Sequence, residues 1–193
     1  MGMRLTLKDV RIAYAQGLYE ARAGIDGGEP KYSAGFLFSR DHEAVKQLAD
    51  AVLKVATEKW GTKAIETLKQ LKAADRLPVH DGNTKPNSTG YEGNLYLNAG
   101  SKVKPLVVDT NPHIVLSMSD GKPYSGSYVN AIIEVWAQDN KFGKRVNASL
   151  AGVQFVRDGE RLAGGSVATA DDFEPIPSAT GGADAPDPAA LFA

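Results

Sequence analysis

The 193-residue chain contains no cysteine, which excludes disulfides, thiol chemistry and cysteine-ligated zinc. It has no apolar run near the roughly 20 residues of a membrane-spanning helix. Its start, Met1-Gly2-Met3-Arg4-Leu5-Thr6, enters an alternating strand with no apolar signal segment. A cytoplasmic location with no membrane contact is therefore the expectation. Met1-Gly2 with Thr6 fits a loose acylation pattern, and Asn87-Ser88-Thr89 and Asn147-Ala148-Ser149 fit the glycosylation pattern. Neither carries weight without a supporting context.

Histidine is scarce too: His42, His80 and His113 are the whole set. His42 falls at a helix start, and His113 follows Asn111-Pro112 at a strand entrance. His80-Asp81 sits in a loop with no further ligand at a metal-binding spacing. The chain lacks a Gly-x-Ser-x-Gly elbow, a phosphate-binding P-loop and a dinucleotide fingerprint. A nuclease or other DNA-processing enzyme built on His80, Asp81 and His113 is the competing enzyme reading. The expectation is a non-enzyme with no cofactor and no metal.

Positive charge is missing from the C-terminal end. All 22 basic residues lie in residues 1–165, with 18 of the 23 acidic ones, so that body is +4. Residues 166–193 carry only Asp171, Asp172, Glu174, Asp184 and Asp187 and are −5. Such segregation points to nucleic-acid work or a self-masking tail. From Gly164 onward the composition is Gly, Ala, Pro, Ser and acid without periodicity, which predicts disorder. The domain division follows: a folded body over 1–165 and an acidic tail over 166–193.

Within the body, Leu5, Leu7 and Val10 alternate with Arg4, Thr6 and Lys8, the pattern of a half-buried strand. Residues 24–30 read as a Gly/Pro loop and 31–38 as a second strand. Ser39-Arg40-Asp41 offers cap chemistry for a helix whose stripe runs Val45, Leu48, Ala49, Val52, Leu53, Ala56 and Trp60, with Gly61 as C-cap. A second helix places Ile65, Leu68 and Leu71 on one face. Residues 73–94 form a long polar loop, and strands are predicted over 95–97, 103–108 and 113–118. The strongest strand, 127–137, sets Val129, Ala131, Ile133 and Val135 against Tyr128, Asn130, Ile132, Glu134 and Trp136. A turn at 138–143 leads to its hairpin partner. Six to eight short strands with an inserted helical pair predict a mostly-β (α+β) domain closed into a small barrel.

Single strands of nucleic acid are held by positive charge along the backbone and by aromatic faces on which bases stack. The candidates with that chemistry are Lys85, Lys102, Lys104, Lys141 and Arg145 for phosphates, and Tyr91, Tyr96, Tyr124, Tyr128 and Trp136 for bases. Lys122, Lys144 and Phe142 lie among them. In the tail, Asp171, Asp172, Phe173, Glu174, Asp184, Asp187 and Phe192 would mask the basic groove or hook a partner protein, since a tethered acid segment acts at high effective concentration. A β-barrel adaptor without DNA affinity is the competing reading.

Four segments carry a resemblance. They are Gly90-Tyr91-Glu92-Gly93-Asn94-Leu95-Tyr96-Leu97-Asn98-Ala99, Pro105-Leu106-Val107-Val108-Asp109, Tyr124-Ser125-Gly126-Ser127-Tyr128-Val129-Asn130-Ala131, and the run from Trp136 through Phe142-Gly143-Lys144-Arg145-Val146 to Gly159-Glu160. Over about residues 3–165 the chain resembles a family of bacteriophage single-stranded DNA-binding proteins, similar to those of T7-like phages. The resemblance implies an OB-fold barrel with a helical insertion and a disordered acidic C-terminus. It further implies a role in phage DNA replication, recombination or repair within the host cytoplasm, with single-stranded DNA as ligand. Replication or recombination proteins would be tail partners, and a homodimer is open. Many proteins of this type end on an aromatic residue; here Phe192 is penultimate.

Overall fold

In the computed structural model, which describes residues 2–23 and 28–162, the alternating N-terminal segment forms strand β1 (Met3–Ala13). β1 pairs with β2 (Tyr32–Phe38) on one side and with β6 (Tyr128–Asn140) on the other. β2 pairs with β4 (Leu95–Ser101), and β6 with β7 (Gly143–Arg157), all antiparallel. A parallel bridge between Gly100 and Ser149 joins β4 to β7. The circuit β1–β2–β4–β7–β6 therefore closes on itself, the five-stranded OB-type barrel. Two short strands add to its edges: β3 (Val79–Asp81) on β4, and β5 (Leu106–Val108) parallel to β7.

Closure buries one face of every strand. Val129, Ala131, Ile133 and Val135 are all fully buried, as their alternation requires. They meet Leu7, Val10, Ile12, Phe36, Leu97, Val146, Leu150 and Val153 in one core. Leu7 and Val10 are three residues apart yet both point inward, because a bulge separates them and Asp9 takes φ 49.

Helices α1 (Glu43–Trp60) and α2 (Ala64–Ala73) stand between β2 and β3, joined by one tight turn over Gly61–Lys63. Ala44, Leu48, Ala51 and Val55 of α1, with Leu71 of α2, complete the barrel core. No helix among the described residues is long and apolar enough to cross a membrane. Gly61 ends α1 at φ 56, as expected of a C-cap.

Several sequence expectations are corrected. The N-cap is His42, whose Nδ1 accepts from the Ala44 N–H at 3.1 Å, and not the preceding Ser39-Arg40-Asp41 turn. On α2 the inward face is Ala64, Thr67, Leu68 and Leu71, an i, i+3, i+4, i+7 set that leaves Ile65 55% exposed. The strand expected at 103–108 begins only at Leu106, after Pro105, which has no N–H to give a ladder. Residues 113–118 form no strand: Val115 makes a single bridge to Val108, and a 3₁₀ turn follows over Met118–Asp120. The long loop at 73–94 contains β3 and a short turn capped by Asp81. The tail, the 165/166 boundary and residues 24–27 of the expected loop lie outside the described residues.

Candidate nucleic-acid interface

On the outward face of the β6–β7 hairpin, Trp136 stands directly opposite Asn147, and its indole N–H donates to Ser149 Oγ at 2.9 Å. The ring is half-buried, and Arg145 is exposed nearby, opposite Gln138. At the hairpin tip Phe142 is 74% exposed, with Lys141 Nζ 5.1 Å from its ring centre. Farther up β6, Tyr128 is covered on one face by the Arg157 guanidinium, 3.5 Å from the ring centre. Asp9 accepts two hydrogen bonds from that guanidinium, at 3.0 Å each, and holds Arg157 firmly protonated. Tyr128 therefore offers at most one face.

Tyr91 and Tyr96 differ from the sequence expectation. They are 2% and 6% exposed and pack edge-to-face, ring centres 5.1 Å apart, in a second small core with Ala13 and Leu37. This core lies outside the barrel, where residues 82–94 fold over β2 and β4. His80 stacks on Tyr96 at 5.1 Å, and Lys85 Nζ lies 4.6 Å from the Tyr96 ring centre and 5.2 Å from that of Tyr91. Neither ring presents an open face to a base, so both leave the set of stacking candidates. Lys85 stays beside them as a half-buried cation.

Lys102 is ion-paired with Glu29, and Lys104 is exposed on the link between β4 and β5. A shallow hollow lined by Lys104, Glu134 and Ser149 connects that link to the hairpin face. The interface candidates are therefore spread over four surfaces: the hairpin face and tip, the β4–β5 link, Lys85 beside the second small core, and the region around Tyr124.

Tyr124 faces a groove of about 700 Å³ that the sequence did not reveal. Its walls come from the turn after β1, the loop at 87–91, the segment 118–125 and the chain just after β7. The Tyr124 hydroxyl is fixed by Asp158 at 2.9 Å and by the Gly159 carbonyl at 3.0 Å, and Arg161 lies 4.3 Å over its ring. Tyr14, Tyr19, Arg22 and Lys122 also line the groove, and no carboxylate lines it among the described residues. Lys122 is ion-paired to Asp109 at 2.8 Å, which holds that carboxyl below its usual range. Tyr14 and Tyr19 interleaved with Arg11 and Arg22 are the sequence signal for this groove, hidden because the stretch joins two strands and reads as a plain connection.

The residues of the enzyme reading do not assemble. His80 bonds Asp75 at 2.7 Å and Asp81 pairs with Arg40 at 2.7 Å. Among the described residues no three His, Asp or Glu side chains are grouped to hold a metal.

Residues 3–185 match the family model of the single-stranded DNA-binding protein of Enterobacter phage Enc34. The protein p50 of Acyrthosiphon pisum secondary endosymbiont phage 1 is 40% identical over 177 residues, covering 90% of this chain and 94% of that protein. The Enc34 single-stranded DNA-binding protein in complex with single-stranded DNA superposes with a TM-score of 0.64 at 28% identity, covering 83% of this chain and 89% of that one. The T7 single-stranded DNA-binding protein gp2.5 shares the fold, with a TM-score of 0.53 at 15% identity, covering 94% of this chain and 100% of its own.

Proposed function

The chain belongs to the Enterobacter phage Enc34 single-stranded DNA-binding protein family, and from that premise we propose that it binds single-stranded DNA without sequence preference. The observation that carries the reading is the fold shared with the Enc34 protein in its complex with single-stranded DNA. The barrel surface supports it with cations beside part-exposed aromatic rings. Trp136, Phe142 and Tyr124 supply stacking faces; Lys85, Lys104, Lys141 and Arg145 track phosphates, with Lys102 after release from Glu29 and Tyr128 through its uncovered face. Base stacking of this kind contributes about 1–3 kcal/mol per base. Binding of this type needs no cofactor and no turnover. The setting is phage DNA replication, recombination or repair in the host cytoplasm.

The tail belongs to the same proposal. Five acidic residues with no basic one compete with DNA phosphates for the basic surface, and Phe173 and Phe192 give partner proteins an apolar hold. The test is a titration of a fluorescent dT oligonucleotide with the full chain and with residues 1–165, each at low and moderate salt. Salt-dependent binding that tightens on truncation is expected. Binding indifferent to truncation removes the masking role and keeps the DNA function. No binding by either form at low salt overturns the function in favour of a protein adaptor.

A further inference from the structure

We infer that the groove beside the turn after β1 is a nucleotide subsite: one base of a DNA strand lies against Tyr14 and Tyr124 and meets the Tyr91 hydroxyl, while its phosphates face Arg22, Lys122 and Arg161. The inference rests on the single-stranded DNA reading and deepens it by naming where a nucleotide is held.

Four observations converge there. Tyr14 adopts φ 57 and ψ 39, a left-handed conformation unfavourable for a bulky side chain, and is nevertheless 58% exposed. Packing gains little from keeping an exposed ring in that state, and strain of this kind gathers at functional sites. Second, the Tyr91 hydroxyl is buried in the groove wall with no hydrogen-bond partner. Tyr14 is its polar neighbour, near enough to act on it as a hydrogen-bonding group, but no hydrogen bond of standard geometry joins the two phenols. An orphaned buried hydroxyl is costly unless a ligand completes it.

Third, the Gly35 backbone passes beside that hydroxyl: a β-carbon there would touch it at 3.4 Å, an ordinary van der Waals contact, and crowd Asn98 Oδ1 at 3.2 Å. Fourth, among the described residues three cations and no carboxylate line a volume of about 700 Å³, within the range of small-molecule sites; Glu20 and Asp109 pair with Arg22 and Lys122 from outside it. Burial raises the Tyr91 phenol, so it keeps its proton at neutral pH. A hydroxyl both donates and accepts, so it serves the carbonyl, amino or ring-nitrogen edge of any base. That suits binding without sequence preference. Entry of a base swings the exposed Tyr14 ring aside and uncovers the hydroxyl beneath.

The experiment measures dT-oligonucleotide affinity and thermal stability for the full chain, Tyr91→Phe and Tyr14→Gly. Phenylalanine keeps the packing and removes the orphan, and glycine relieves the left-handed strain, so both variants melt at or above the parent temperature. Both are expected to bind less tightly: Tyr91→Phe by several-fold and Tyr14→Gly by roughly 5- to 150-fold, the loss of one stacked base. If the parent binds and both variants bind equally well, the subsite is overturned and the DNA function stands. If Tyr14→Gly melts lower while binding per folded molecule holds, Tyr14 is structural and the subsite is again overturned. If the parent does not bind, the function itself falls and the subsite with it.

Discussion

Individual side chains on this barrel are held by bonds that span long stretches of sequence. Tyr19 donates its hydroxyl hydrogen to the Lys122 carbonyl at 2.7 Å, tying the turn after β1 to the segment before β6. Burial first, and the nearby Asp120 second, push its phenol up from 10.0 to about 12. A phenol whose folded pKa is raised holds its proton more tightly in the folded state. Its stabilisation is whole below pH 10 and is lost as pH climbs from 10 to about 12. Thermal melts across that window should fall more steeply for the parent than for Tyr19→Phe, which has no phenol to ionise. Parallel curves would show that Tyr19 does not couple the two segments. The same scale shows what sequence reading captures. Val129, Ala131, Ile133 and Val135 are legible as core from alternation alone, because one strand decides their face. The burial of Tyr91 and Tyr96 was not legible, since it depends on residues 82–94 folding over the outer side of β2 and β4.

At the scale of elements, the helical pair and the β6–β7 hairpin are legible as elements because their periodicities are local, but the helices' inward faces are only partly so: Ala49, Leu53 and Ile65 of the expected stripes are exposed, while Ala44, Ala51 and Val55 are buried. The short pieces are not legible: β3 and β5 each have three residues and exist only because a long neighbouring strand offers them an edge. The groove was hidden for a related reason, being assembled from four segments far apart in the chain. Its geometry depends on a close approach that glycine permits. Gly126 sits at φ 115, and a β-carbon there would collide with the Glu160 carbonyl. This contact lets the chain after β7 lie along residues 124–127, where the Leu162 N–H donates to the Ser125 carbonyl at 3.0 Å. Arg11 bonds both sides, donating to the Gly126 and Glu160 carbonyls. Gly61 also takes a positive φ, 56 with ψ −128, but has open space around it. Gly61→Ala should therefore cost the conformational penalty alone, about 1–3 kcal/mol. Gly126→Ala should cost clearly more, because it adds a backbone clash to that penalty. Denaturant melts of the two variants would measure the difference, and equal losses would mean the 158–162 segment is not held against Gly126.

Across the whole molecule the ruling feature is the separation of charge, +4 in residues 1–165 against −5 in 166–193. Folding the body gathers cations on several surfaces of the barrel: Lys141 and Arg145 on the hairpin, Lys104 on the β4–β5 link, and Arg22 and Arg161 at the groove. On the masking proposal, a tail tethered to such a body acts at an effective concentration on the order of millimolar, enough to compete with DNA even if each contact is weak. The same competition should survive when the covalent link is cut. A synthetic peptide of residues 166–193, added to a body of residues 1–165, should inhibit dT binding at roughly millimolar levels, the range set by the tethered concentration. Inhibition should fade as salt is raised, because screening weakens exposed charge pairs over about 8–10 Å at 0.1–0.15 M. A peptide with Asp171, Asp172, Glu174, Asp184 and Asp187 replaced by the corresponding amides carries none of the five charges and should not inhibit. Equal inhibition by both peptides would assign the effect to the apolar residues Phe173 and Phe192, and no inhibition by either would leave the tail without a role at the DNA surface. The charge segregation points to the first outcome, because the side chains of residues 166–193, like the phosphates of a DNA strand, carry only negative charge.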